Sequence, residues 1–367
     1  MKQTKTSSLY RLVAFLLITI VMIGIVGVVA DGARTKDPSD NAPPTDNLGS
    51  ETDKNDGTTN EESDQSTIPE SPKYTHYLTG LVTDEARAAA IPLVYTVDPA
   101  SALYGISQAF LTVELATELG GSRMLLFTEQ NAALGKIGAL APTRGYISNI
   151  VSYFGGILVH DGEEGKKSGN EIDLGTGHID LGKTNKYTYS EGSRELYTNA
   201  QLMASALDAA RIPTRYTEMP LIPFTFRQNA QASGTRAMGV TVPYGTDNEV
   251  SLLYDSVSAA YTMYRGAQLA TDPLYRTEVR YQNVLILFCD AVTYEGADHT
   301  ETVLDTASGG SGYYFSMGAY QRILWSTNED GCMAVTDSTG TPLLMNPGST
   351  YVSFFKAADK NRIVIER

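Results

Sequence analysis

The chain has 367 residues, with 42 Asp and Glu against 28 Lys and Arg, a net charge of −14, and only two cysteines. An acidic balance with no basic patch interleaved with aromatics argues against nucleic acid as a partner. The cysteine count and spacing resemble no zinc or haem site, so no cofactor or metal is implied there.

The first segment is the most informative. Lys2, Lys5 and Arg11 precede an uncharged apolar run over 12–30. At a rise of about 1.5 Å per residue, a helix of that length just crosses the hydrocarbon core of a bilayer. With the cations on its N-terminal side, that end is expected in the cytoplasm and everything after it outside. A cleaved signal peptide is the competing reading, with Val28-Val29-Ala30-Asp31-Gly32-Ala33 as weak candidate cleavage positions. The length of the run favours an uncleaved single-pass anchor in the cell membrane. A lipid-modified cysteine near the membrane is excluded, because the only cysteines are Cys289 and Cys332.

Residues 31–72 carry eleven acidic residues, three basic ones and almost no large apolar side chain. Such a segment cannot bury enough apolar surface to offset its ordering entropy. It is expected to be an extended acidic tether.

From Lys73 the composition turns globular, with room for two domains. The first is expected over 73–217. Strand signals fall at 91–97, 109–115, 123–127 and 157–159, and helical spacing over 144–154 and 201–210. The second is expected over 223–367. Short runs rich in Tyr, Val, Thr and Phe at 250–254, 260–264, 284–288, 312–316, 320–325, 333–337 and 350–355 alternate with Gly and Pro turns. The expected fold class is α+β: a mixed α/β domain with helices packed on a sheet, then a mostly antiparallel β domain. A Cys289–Cys332 disulfide is possible in an extracellular setting, although Cys289 lies in an apolar run that reads as core.

Several blocks then follow in a characteristic order. Leu78-Thr79-Gly80-Leu81 opens the globular part, followed by Tyr104-Gly105-Ile106-Ser107-Gln108-Ala109, Val113-Glu114 and Glu118-Leu119-Gly120-Gly121-Ser122-Arg123. Lys136-Ile137-Gly138 and Thr143-Arg144 come next. The C-terminal half adds Gly310-Ser311-Gly312, Arg322-Ile323-Leu324-Trp325, Asp337-Ser338-Thr339-Gly340 and 344–352. This order resembles the YerB-like family of bacterial envelope lipoproteins (domain of unknown function 3048) over nearly all of the folded part. The resemblance implies an extracytoplasmic protein and brings no established reaction. The chain departs from the family pattern in places. Phe110 stands where the family has an acid. The segment 138–144 keeps only Arg144 of two arginines, and Leu196-Tyr197-Thr198-Asn199 keeps only the tail of its block.

Glu114, Glu118, Arg123 and Arg144 are the candidate ligand-binding residues. Two carboxylates with two guanidinium groups can hold a polar ligand or move protons, and an arginine pair can clamp phosphate or carboxylate. The plainer alternative is an ion-pair network that fixes the turn. Tyr197, Asn199 and Trp325 are further candidates, Trp325 as part of a stacking platform, although such aromatics are more often core. His160-Asp161 and His178-Ile179-Asp180 bracket Glu163, Glu164 and Asp173, which match no metal motif and read as a solvated loop. There is no nucleophile elbow, phosphate loop or dinucleotide fingerprint, so no catalytic residue is assigned. The expected function is a non-catalytic envelope module binding a cell-wall polymer or an envelope protein. The alternative is an enzyme acting on wall glycan or a phosphate-linked precursor. A pure spacer is disfavoured by the size of the folded part.

Overall fold

A computed structural model describes residues 74–164, 177–219, 223–295, 300–328 and 331–367. The expected anchor and acidic tether, and Asp173, lie outside the described residues. Among the described residues no helix is long and apolar enough to cross a membrane.

The fold is rich in strands with few helices. The elements that matter here are β1 (Leu93–Val97), β2 (Ala109–Ala116), β3 (Ser122–Thr128), α1 (Gly145–Phe154), β4 (Ile157–His160), β5 (His178–Asp180) and α2 (Ala200–Ala210). They are followed by β6 (Gly239–Pro243), β7 (Glu249–Asp255), β8 (Ala260–Arg265), β9 (Asn283–Cys289), β10 (Thr300–Leu304), β11 (Gly310–Ser316), β12 (Ala319–Thr327), β13 (Met333–Asp337), β14 (Thr350–Lys356) and β15 (Val364–Glu366).

An eleven-stranded sheet runs β12–β11–β9–β14–β2–β3–β1–β4–β5, with β13 and the short strand Thr235–Arg236 both paired to β12. Its centre joins the two halves of the chain. β14 lies parallel to β9 on one side and parallel to β2 on the other, with Val352 opposite Val113 and Ser353 opposite Glu114. The mostly antiparallel pattern expected of the C-terminal half is therefore interrupted in the middle of the sheet. β14 is buried along almost its whole length, as a strand covered on both faces must be, and such strands tolerate parallel neighbours. A second, six-stranded sheet contains β8–β7–β6–β15 in antiparallel order.

The alternation of side chains along a strand divides the core. Val113, Leu115, Leu125 and Phe127 join the cluster that contains Ile147, Ile150 and Phe154 of α1. Ala116, Met124 and Leu126 face the cluster that contains Met203 and Leu207 of α2 and Val240, Leu252 and Met263 of the second sheet. The spacing of apolar residues in α1 accounts for its buried stripe. The helix stops at Gly155, whose φ of 71° favours glycine and where a Cβ would come within 2.3 Å of the Tyr216 hydroxyl. α2 starts where the Asn199 side chain accepts from the Leu202 N–H at 3.0 Å.

The disulfide does not form. Cys289 is buried in β9, its thiol donates to the Phe355 carbonyl at 3.6 Å, and burial pushes its pKa up to about 12.

The two sheets are tied by a buried ion pair. Glu114 on β2 is fully buried, and Arg265 at the end of β8 meets its carboxylate with two bonds of 3.0 Å. Ser122 donates to the same carboxylate at 2.6 Å and Tyr351 at 2.9 Å. Every lone pair that faces the interior is thus answered, which is the condition under which a buried carboxylate is tolerable. Replacing Arg265 with Met should leave that carboxylate unpaired and cost about 3–5 kcal/mol. Urea unfolding of the full chain should show this as a lowered midpoint with an unchanged slope. An unchanged midpoint would remove the clamp from the account.

Candidate functional site

The four charged candidates do not converge. Strand alternation sends Glu114 to the face with Ala116 and Met124, and Arg123 to the face with Leu115 and Leu125. Glu114 is consumed by the clamp to Arg265. The other three meet on the opposite face of the sheet, at the N-terminus of α1.

Each arrives there for a local reason. The turn after β2, Glu118–Gly120, carries Glu118, and its Leu119 adopts a φ of 53° while its side chain is 93% exposed. A leucine held in that conformation is strained, and such strain collects at functional turns. Arg123 is the second residue of β3. Arg144 is the extended residue before α1 and offers the helix no side-chain cap.

Glu118 receives Arg144 through two bonds of 2.6 Å, the fork-to-fork geometry that arginine favours with carboxylates. The backbone N–H of Thr302 on β10 adds a third at 3.3 Å. Burial pushes the Glu118 carboxyl up, but the Arg144 guanidinium and the N–H donors outweigh it and hold its pKa at about 2. Glu164 supplies the second carboxylate. Its Oε2 accepts from Arg123 at 3.0 Å and from Arg144 at 3.2 Å. Its side chain is 41% exposed, against 13% for Arg123 and 7% for Arg144. The Nε atoms of Arg123 and Arg144 are both buried without a hydrogen-bond partner. The Tyr146 hydroxyl feels Arg144, Glu118 and Arg123, and burial still raises its pKa to about 12. Buried Glu301, next to Thr302, keeps one carboxylate oxygen unpartnered.

Sequence reasoning placed Glu164 in a solvated loop and missed its role. Its backbone N–H is bonded to the Thr143 carbonyl at 2.8 Å, which pins it beside the arginines. That bond is a product of tertiary packing with no local signal. The histidines that bracket this loop lie on strands. His160 and Asp180 end two parallel strands, and His160 is fully buried with Nδ1 on the Gly162 carbonyl at 2.7 Å. Its ring stacks on His178 at 5.6 Å. Among the described residues no group of three or more His, Cys, Asp or Glu is arranged to hold a metal ion.

The remaining candidates are placed by packing. Trp325 is buried, donates to the Phe288 carbonyl at 3.1 Å and sets its ring edge-on to Phe354, so it offers no stacking platform. Tyr197 is buried, donates to Glu195 at 2.6 Å and lies 3.7 Å from the Lys136 ammonium. Asn199 caps α2. A separate cavity of about 400 Å³ opens between β1 and α2, lined by Leu93, Tyr95, Leu134, Met203 and Leu207 among others. None of the four charged candidates lines it.

Residues 78–214 match the family model described as protein of unknown function (DUF3048) N-terminal domain, and residues 240–352 match the one described as protein of unknown function (DUF3048) C-terminal domain. The chain belongs to the DUF3048 family. The crystal structure of the YerB protein from Bacillus subtilis is similar, with a TM-score of 0.69 at 22% identity, covering 80% of this chain and 100% of that one. At that identity the likeness speaks to the fold alone. No curated protein matches the chain. Within the DUF3048 framework, the N-terminal segment supplies Glu118, Arg123, Arg144 and Glu164. The C-terminal segment supplies the Thr302 N–H that steadies Glu118, and the Arg265 and Tyr351 side chains that enclose Glu114.

The Glu118–Arg144 pair has a pH signature. Because folding lowers the Glu118 pKa from 4.5 to about 2, the native state binds fewer protons than the unfolded state between those values. Stability from this pair is present above about pH 4.5 and lost as pH falls towards 2. Glu118→Gln should flatten the thermal-midpoint profile across that window. Parallel profiles for the two proteins would show that the pair contributes nothing.

Proposed function

We propose that this protein is an extracytoplasmic, membrane-anchored binding module that recognises an anionic group on a cell-wall component. The observation that carries the reading is the Arg123–Arg144 pair, mostly buried and joined by one carboxylate, with an unpartnered Nε on each arginine. A buried guanidinium pair is expensive unless an anion satisfies it, and arginine forks suit phosphate and carboxylate oxygens. The apolar run with cations before it supports delivery of the folded part to the cell exterior. In this reading 73–217 is an α+β unit that carries the site, and 223–367 is a β-rich partner that steadies it.

Binding is favoured over catalysis by the state of the carboxylates. Glu114 is sealed by Arg265, Ser122 and Tyr351. Glu118 is locked by Arg144 with its pKa lowered to about 2, far from the range useful to a general base near neutrality. Neither is poised to move a proton.

Two measurements test the proposal. Protease added to intact cells should remove the folded part, and protection until lysis would overturn the location. Sedimentation of the full chain with purified anionic wall polymer should show saturable binding that weakens roughly tenfold in Arg123→Gln, since loss of a charge-assisted bond is worth about 1.5–3 kcal/mol. Equal retention of both proteins would remove the arginine pair as the recognition element.

A further inference from the structure

Resting on that reading of the site, we propose that Glu164 is a tethered occupant of the Arg123–Arg144 site, and that the group it yields to is a singly charged oxyanion. Three observations lead there. The first is geometric. One Glu164 oxygen, Oε2, takes a bond from each arginine, at 3.0 and 3.2 Å. It sits where an oxygen of an incoming phosphate or carboxylate would be held by both guanidinium groups at once.

The second is freedom of movement. The Glu164 backbone is fixed to Thr143 by its N–H, so the main chain need not shift. The side chain is 41% exposed, whereas Arg123, Arg144 and Glu118 are 13%, 7% and 20% exposed. Of the four charged groups Glu164 is the most exposed, and its rotation into water would free the one side-chain bond that Arg123 makes, leaving that guanidinium open to an incoming anion. Arg144 would keep both bonds to Glu118. Arg123, whose Nε has no partner either, would be left to the newcomer.

The third is charge. Two arginines balanced by Glu118 leave one positive charge, which Glu164 neutralises in the resting arrangement. A ligand of one negative charge reproduces that balance. A dianion exceeds it. A phosphodiester and a carboxylate both carry one charge and both present two equivalent oxygens to a guanidinium fork.

A tethered competitor lowers the apparent affinity by the fraction of time it occupies the site. Removing its charge should therefore raise affinity. The test is calorimetric titration of the full chain, and of Glu164→Gln, Arg123→Gln and the double variant, with dimethyl phosphate, acetate and inorganic phosphate at pH 8. Near-ultraviolet circular dichroism confirms that each variant is folded. The expected result is that Glu164→Gln binds dimethyl phosphate or acetate roughly tenfold more tightly than the parent chain. The gain should vanish in the double variant, and inorganic phosphate, largely dianionic at this pH, should profit less. Whichever of dimethyl phosphate and acetate gains more identifies the phosphodiester or carboxylate source. If Arg123→Gln weakens binding while Glu164→Gln leaves it unchanged, the occupant proposal is overturned and the arginine site survives. If inorganic phosphate gains the most, the single-charge inference is overturned. If none of the three anions binds the parent chain or Glu164→Gln, both this proposal and the anion-binding reading fall.

Discussion

The structure depends on a carboxylate that has no access to water. Glu114 lies in the central sheet at the point where the N-terminal half of the chain meets the C-terminal half, one residue pair along from Val113 and Val352. It is accommodated in a dry interior because Arg265 reaches it from the second sheet and Ser122 and Tyr351 close the remaining sides. Asn248 extends the network by bonding both Arg265 and Ser122. A buried pair of this kind adds little net stability over an apolar filling, but it penalises every arrangement in which the partners are separated. It therefore specifies how the two sheets and both halves of the chain are registered.

That registration matters for the second charged cluster, on the other face of the same strands. β2 and β3 present Glu114 and Ser122 to one side, and Arg123 to the other. The turn that carries Glu118 is steadied by an N–H from β10, far away in sequence. The clamp thus supports the geometry of the arginine cluster without touching it. The two clusters are also in different electrostatic states. One is closed, with each group answered. The other is balanced by an exposed carboxylate and retains unpartnered donors, which is the difference between a structural ion pair and a site able to exchange its anion.

Much of the fold was legible in the amino-acid order. The expected strands at 109–115, 123–127, 284–288 and 350–355 and the helices over 144–154 and 201–210 match β2, β3, β9, β14, α1 and α2 to within a residue or two. Their buried stripes and their Gly and Asn boundaries are local properties. β6 and β15 escaped notice, β6 because its Gly and Pro ends read as turn and β15 because it is short and half-exposed. His160 and Asp180, read only as the brackets of a polar loop, lie on the paired parallel strands β4 and β5, a pairing that no local signal states.

The sequence by itself determined the periodic elements, the family, and the placing of Glu118 and Arg123 about one short turn, since that turn is a local feature; that Arg144 meets them was decided by the packing of α1. Only the tertiary structure decided that Glu114 leaves them for Arg265, that Glu164 joins them, and that Trp325 is core. Those outcomes turn on which face of a strand each side chain occupies and on which distant segment lies against that face. A period of two along the strand states the first only after the sheet exists, and nothing local states the second.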